Sequence, residues 1–523
     1  MDIASAKEQV KRTVAAYLAT DAQGRPKIPL SRQRPLLVIG APGVGKTAIV
    51  EQVASELGIS LVSYSMTHHT RQSALGLPVI RERTFDGHAC DVSEYTMSEI
   101  IASVHEAMEA SGLEHGILFL DEVNCVSETL TPSMLQFLQY KTFGRHRVPD
   151  GWVIVTAGNP PEYNRNVHEF DVATLDRVRR IDVEPDLAAW KPYAAEIGVH
   201  PAILAFLEAK PGNFYRVERG LSGREFVTAR SWVDLSEALA VHEELGFPTD
   251  ADLIGQFIQL PELAAEFSLY LELFNRHRRD YRTDDILAGN VTGEVLQKAR
   301  DADLDERLSV VFALLDSLGA RVRGVIDTED VLLAVRTELR EIRDSSSDEN
   351  GVRNLLNERA AARREHASKR ASAGGLTQAD LERELAVADM LAEFVHASAS
   401  GTADTSSATP AAAPPDSPAA PVSPPPAHFA AVQAAYDAAV AALDDAAAAA
   451  SAELDALYAF LDAAFADGPE TTIATTELTA RAHTSRFISE YGSDAYFAHS
   501  SELLVSSRAG DLQKRISALD GAL

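Results

Sequence analysis

Four apolar residues, Leu36-Leu37-Val38-Ile39, run straight into Gly40-Ala41-Pro42-Gly43-Val44-Gly45-Lys46-Thr47. The spacing Gly-x4-Gly-Lys-Thr is that of a phosphate-binding loop. Glycines let the backbone curl so that successive N–H groups face phosphate oxygens. The helix that follows places its positive end at the same spot. Lys46 is expected to reach the β and γ phosphates, and the Thr47 hydroxyl to hold Mg²⁺. Gly40, Ala41, Pro42, Gly43, Val44, Gly45, Lys46, Thr47 and Ala48 are therefore the expected nucleotide-binding residues. Two further groups suit phosphoryl chemistry. Asp121 and Glu122 close the apolar run Ile117–Leu120, so Asp121 can sit near Thr47 and Mg²⁺ while Glu122 polarises an attacking water. Asn159 follows Trp152–Thr156 and can hydrogen-bond both the γ phosphate and that water.

These residues are far apart in sequence, so the fold must gather them. Residues 4–19 read as an amphipathic helix, and the segment after the loop is helical up to Gly58. Strands are expected at 36–39, 59–66, 117–120, 152–156 and 181–183, alternating with helices at 97–110 and 131–140. That alternation predicts an α/β fold with a parallel sheet and helices on both faces. Ligands on such sheets bind at the carboxyl ends of the strands. The loop, Asp121-Glu122 and Asn159 all fall there.

Taken in order, Gly40–Thr47, Phe119-Leu120-Asp121-Glu122-Val123-Asn124, Thr156-Ala157-Gly158-Asn159-Pro160, Leu175-Asp176-Arg177-Val178 and Thr228-Ala229-Arg230-Ser231-Trp232 resemble the MoxR branch of the AAA+ ATPases. The resemblance covers roughly residues 1–290 and implies Walker A, Walker B, sensor 1, an arginine finger and sensor 2. It implies ATP and Mg²⁺ as cofactors, hydrolysis to ADP and phosphate, and a homo-oligomeric ring, expected to be a hexamer. Arg177 would be the finger reaching a neighbour's site, with Arg180 as the alternative, and Arg230 would act on the γ phosphate in its own subunit. Such ATPases act like chaperones on a protein client, often with a partner bearing a von Willebrand factor A domain. A metal-chelatase-like motor subunit is a close neighbour of that reading. A nucleotide-gated switch or scaffold without ring-dependent turnover is the alternative of a different class.

Five regions follow. Residues 1–185 are the expected nucleotide-binding αβα subdomain and 186–290 a helical lid. Residues 291–398 continue as helices, the basic stretch 352–372 and acidic 376–396 forming either a hairpin or solvated helices. Residues 399–427 read as a Pro/Ala-rich linker. Residues 428–523 are an acidic, alanine-rich helical module, expected to be tethered and to bind a partner or dock on the ring. Residues 75–95 carry turn signals at Gly76, Pro78 and Asp86-Gly87, and resemble the insert of the MoxR clade, a candidate client or partner contact. His68, His69 and His88 lie nearby without metal-ligand spacing and read as ordinary loop residues.

Net charge is −29, from 77 acidic and 48 basic side chains. That weighs against a nucleic-acid motor and against anionic membranes. Two cysteines, Cys90 and Cys125, imply no disulfide framework. With no long apolar segment and no leader-like N-terminus, the expected location is the cytoplasm.

Overall fold

The computed structural model describes residues 1–68, 74, 76–85, 88–126, 130–143, 145–163, 170–220, 223–346, 348–400, 426–466 and 468–500. Helix α1 (Ile3–Leu18) is capped by Asp2, whose carboxylate accepts from the Ser5 N–H at 2.8 Å. β1 (Leu36–Gly40), α2 (Lys46–Leu57) and β2 (Ser60–Ser65) follow. A hairpin of β3 (Pro78–Phe85) and β4 (His88–Tyr95) comes next, then α3 (Glu99–Ser111), β5 (Gly116–Asp121) and α4 (Thr131–Tyr140). A short pair, β6 (Thr142–Phe143) and β7 (His146–Arg147), leads to β8 (Trp152–Gly158), α5 (Val172–Leu175) and β9 (Arg179–Val183).

Five strands form one sheet in the order β2-β5-β8-β1-β9, every pair parallel. β1 and β8 are buried along their whole length, which is why they read as unbroken apolar runs. The register sets Ile39 beside Gly158 and Gly40 beside Val183. Tyr64 pairs with Leu120, and Leu120 with Thr156. All carboxyl ends therefore open on one side. One core packs under α3 and α4, the other under α1 and α2.

The segment expected to be a lid comprises α6 (Leu187–Glu196), α7 (Pro201–Ala209), α8 (Ala229–Leu245), α9 (Ala251–Phe257) and α10 (Pro261–Tyr281) around Phe206, Trp232 and Phe267. The expectation of an all-helical segment misses a hairpin, β10 (Arg216–Gly220) with β11 (Gly223–Val227), between α7 and α8. Within the 75–95 insert, β3 and β4 pair antiparallel, strands that the turn signals alone did not assign. All eight β3 residues are exposed, so no buried face left an alternating pattern. Asp86-Gly87, His69 and most of the proposed linker lie outside the described residues.

Beyond short α11 (Thr283–Leu287) and α12 (Gly293–Asp301), α13 (Leu304–Ser345) is 42 residues long. Its Phe312 and Ala313 enter the lid core. α14 (Glu349–Ser372) and α15 (Gln378–Ser400) form the hairpin alternative, joined by Arg363–Glu384 and Arg364–Asp389. Their connecting turn covers the edge of β2: the Leu61 N–H donates to Ala373 O at 3.1 Å, and Asp380 accepts from the Ser55 hydroxyl. α16 (Ala430–Phe465), α17 (Pro469–Ala480) and α18 (Ala482–Tyr491) share one core with α13. The C-terminal helices are thus packed into the body, where composition pointed to a tethered module. Alanine favours helix but does not say what the helix packs against. Lys191 of the lid pairs with the buried Glu477 of α17 and with Glu208. No described helix is long and apolar enough to cross a membrane.

Candidate functional site

The loop between β1 and α2 holds Gly43 at φ +74° and Gly45 at φ +98°, conformations that favour glycine. Gly43 is constrained twice, since a Cβ there would stand 2.5 Å from the Thr228 hydroxyl oxygen. Lys46 opens α2 and is 8% exposed. Its ammonium donates to Gly40 O (2.8 Å), Ala41 O (3.0 Å) and Asn159 Oδ1 (2.9 Å). Two residues 113 positions apart are therefore joined directly. Burial pushes the Lys46 ammonium down to about 8; Asp121 opposes the shift, Arg230 adds to it, and Glu122 opposes it.

Asp121 ends β5, and one of its carboxylate oxygens accepts from the Glu122 N–H at 2.8 Å. Glu122 is a rare non-glycine residue at φ +56°. Its Oε2 accepts from the Ser65 and Thr67 hydroxyls, each at 3.0 Å. Asn124 clamps the neighbouring strand end: its Nδ2 donates to Asn159 O at 2.7 Å, and the Asn159 N–H donates back to Asn124 Oδ1 at 3.3 Å. A Cβ on Gly158 would meet Asn124 Oδ1 at 2.6 Å, so this strand end needs glycine. Ser65, Thr67 and Asn124 were not singled out from the sequence. Asn124 lay inside the quoted Asp121–Asn124 motif. Serine and threonine at a strand end carry no signal of their own.

From the lid, α8 begins at the P-loop. Thr228 and Ser231 form its capping box, and the Arg230 N–H donates to Gly43 O at 3.2 Å. The Arg230 side chain is exposed and its charge is felt by Lys46. Beside the loop Ile3, Val44, Trp190, Phe214 and Ala229 meet Glu184, Pro185 and Asp186 around a crevice of about 10 Å³, room for no more than a water. Its residues come from separate stretches of chain, so no motif announces it.

Residues 36–174 match the AAA family, the ATPases associated with various cellular activities. That stretch carries the phosphate loop and four of the five sheet strands of a P-loop AAA fold. No curated protein matches the sequence. Among solved structures, that of C. elegans PCH-2 is similar at 16% identity with a TM-score of 0.23, covering 41% of this chain and 50% of that one. The chain thus spans half the length of that structure.

Not every predicted residue is brought to the P-loop. Arg177 is half-buried between α5 and β9. Arg179 starts β9 opposite Leu36, at the amino ends of the strands, while Gly40 is opposite Val183. A strand's length, about 17 Å, therefore separates the Arg177 backbone from its own phosphate loop. Asp171, which caps α5, is held below its ordinary range by the Thr174 hydroxyl and backbone and also by the charge of Arg177. Arg180 points its Nε at Asp182 (2.8 and 3.1 Å). Thr47 and Asp121 supply the hard oxygen donors that suit Mg²⁺, a cation that keeps most of its waters. Among the described residues no group of three or more His, Cys, Asp or Glu forms a further metal cluster. The thiol of Cys125 is pushed up by burial and by Glu122 and Asp121, as an inert small residue would be.

Proposed function

We propose that the chain is a ring-forming AAA+ ATPase of the MoxR type, which hydrolyses ATP and uses the energy to remodel a protein client. One observation carries this reading. Lys46, Asp121, Glu122 and Asn159 converge at the carboxyl ends of the strands, whereas Arg177 stands at the amino ends. An arginine so placed stands away from its own phosphates, which supports a role in a neighbour's site and hence assembly. Lys46 and the loop N–H groups bind the phosphates, and Thr47 and Asp121 hold Mg²⁺. Glu122 activates water, Asn159 orients it, and Arg230 contacts the γ phosphate. Phosphate release lets the lid swing, and α13, which shares the lid core, carries that motion into the C-terminal helices. The exposed β3–β4 hairpin, with Ile80 and Phe85 open to solvent, is the surface offered to a client or to a von Willebrand factor A domain partner.

Native mass spectrometry of the Glu122→Gln protein tests assembly. With Mg²⁺ and ATP a species near six times 56.4 kDa is expected, and smaller species without nucleotide. A monomer under both conditions would leave Arg177 no neighbour and sink the ring.

The buried lysine adds a pH signature. Lys46 in the nucleotide-free protein loses its proton from about pH 8 upward, against an ordinary value of 10.5. Bound phosphates restore the charged form, so binding above pH 8 takes up a proton. ATP affinity should therefore fall as pH rises from 8, by up to about tenfold per unit. Calorimetric titration at pH 7, 8 and 9 reads this directly. An unchanged dissociation constant at pH 9 would mean Lys46 stays charged.

A further inference from the structure

Tyr215 lies just before β10, and its ring packs against both the lid core and the sheet core behind the P-loop. Its hydroxyl donates to Pro42 O at 2.9 Å. Tyr163, four residues past Asn159 and packed on the same sheet core, hydrogen-bonds the Tyr215 side chain. Burial raises the Tyr215 phenol above its ordinary value, so it remains a donor at any working pH. The next carbonyl of the loop, Gly43 O, accepts from the Arg230 N–H. Two consecutive P-loop carbonyls are thus bound by lid donors. A loop that turns its N–H groups inward to phosphate turns carbonyls outward, and those carbonyls need partners of their own. Here the lid supplies both.

We propose that Tyr215 is a positioning residue: through Pro42 it sets the shape of the phosphate cradle according to where the lid stands, and through Tyr163 it ties that shape to the segment carrying Asn159. This rests on the nucleotide-binding reading above. Where the lid sits on the loop, the cradle is held ready and nucleotide binds without first ordering it. Where the lid lifts, Pro42 O loses its donor and the cradle loosens.

The test uses the full chain and two single-atom deletions, Tyr215→Phe and Tyr163→Phe, with Mg²⁺–ADP titrated calorimetrically and ATP hydrolysis followed at steady state. For Tyr215→Phe the ADP dissociation constant and the KM for ATP should both rise about two- to tenfold, the worth of one hydrogen bond. Turnover at saturating ATP should stay within about twofold, since the groups that act on the γ phosphate are untouched. Tyr163→Phe should shift the same quantities less, and the double variant should be no worse than Tyr215→Phe alone, because Tyr163 acts through Tyr215. A purely packing role would lower the unfolding temperature of the nucleotide-free protein and leave affinity and KM unmoved; that result overturns the proposal. Additive effects of the two variants would overturn the Tyr163 link. A wild-type chain that binds no Mg²⁺–ADP would overturn the nucleotide-binding reading and this inference with it, whereas normal wild-type binding with an unaltered Tyr215→Phe would overturn only the inference.

Discussion

The Glu122→Gln protein is expected to bind ATP as tightly as the wild type and to hydrolyse it about 10²- to 10⁴-fold more slowly, the usual worth of a positioned general base. The prediction rests on what the change leaves alone. Lys46 keeps its hydrogen bonds to Gly40 O, Ala41 O and Asn159 Oδ1, and the Glu122 charge that the change removes is the smallest of the influences on its proton. Ser65 and Thr67 donate to Oε2, and glutamine keeps a carbonyl oxygen able to accept from them. The left-handed backbone at Glu122 is no more strained with glutamine, so stability should move little. What disappears is the capacity to take a proton from water, together with one minor charge acting on Lys46. Phosphate release and equilibrium nucleotide binding, measured on the same preparation, separate the two effects. Turnover within about tenfold of wild type would hand the base to another group. A lost nucleotide affinity would instead make Glu122 part of the binding cradle.

The strand ends were readable because each is an apolar run stopped by a chemically distinct residue, Gly40 after Ile39, Asp121 after Leu120 and Gly158-Asn159 after Ala157. Buried parallel strands tolerate little else, so pattern and topology coincide. What supports those residues was not readable. Ser65 and Thr67 are ordinary hydroxyls until β2 is seen beside β5, a pairing that spans more than fifty positions. Tyr215 reads as a core aromatic, and its value lies in standing between two cores. The β3–β4 hairpin escaped because Val79, Ile80, Arg81 and Arg83 all face solvent, leaving neither a helical nor a strand period to count. The C-terminal helices were legible as helices, yet their union with α13 is a matter of long-range packing between Leu315, Leu318, Leu454 and Leu457.

Replacing Arg177 by alanine is expected to cost on the order of 10³ in turnover, the lower range for an arginine supplied in trans, while each subunit keeps its affinity for ATP. The sheet makes this more than an analogy with other ATPases. Arg177 precedes β9 at the end where Leu36 begins β1, and the phosphate loop leaves β1 at the other end. A direct contact of Arg177 with the γ phosphate would then be made in a second copy. Arg180 offers a built-in control: its guanidinium is engaged with Asp182 in an exposed pair, an interaction of small worth, and Arg180→Ala should change turnover less than about tenfold. Mixing gives the decisive reading. Arg177→Ala subunits retain Glu122, and Glu122→Gln subunits retain Arg177. Each protein alone is inactive, but a junction between them can hold one intact glutamate facing one intact arginine. Mixed rings should therefore recover part of the wild-type rate, in proportion to such junctions. If both variants assemble and the mixture stays inactive, Arg177 does not act across the interface, and the finger must be sought at Arg180 or at another residue on the amino ends of the strands.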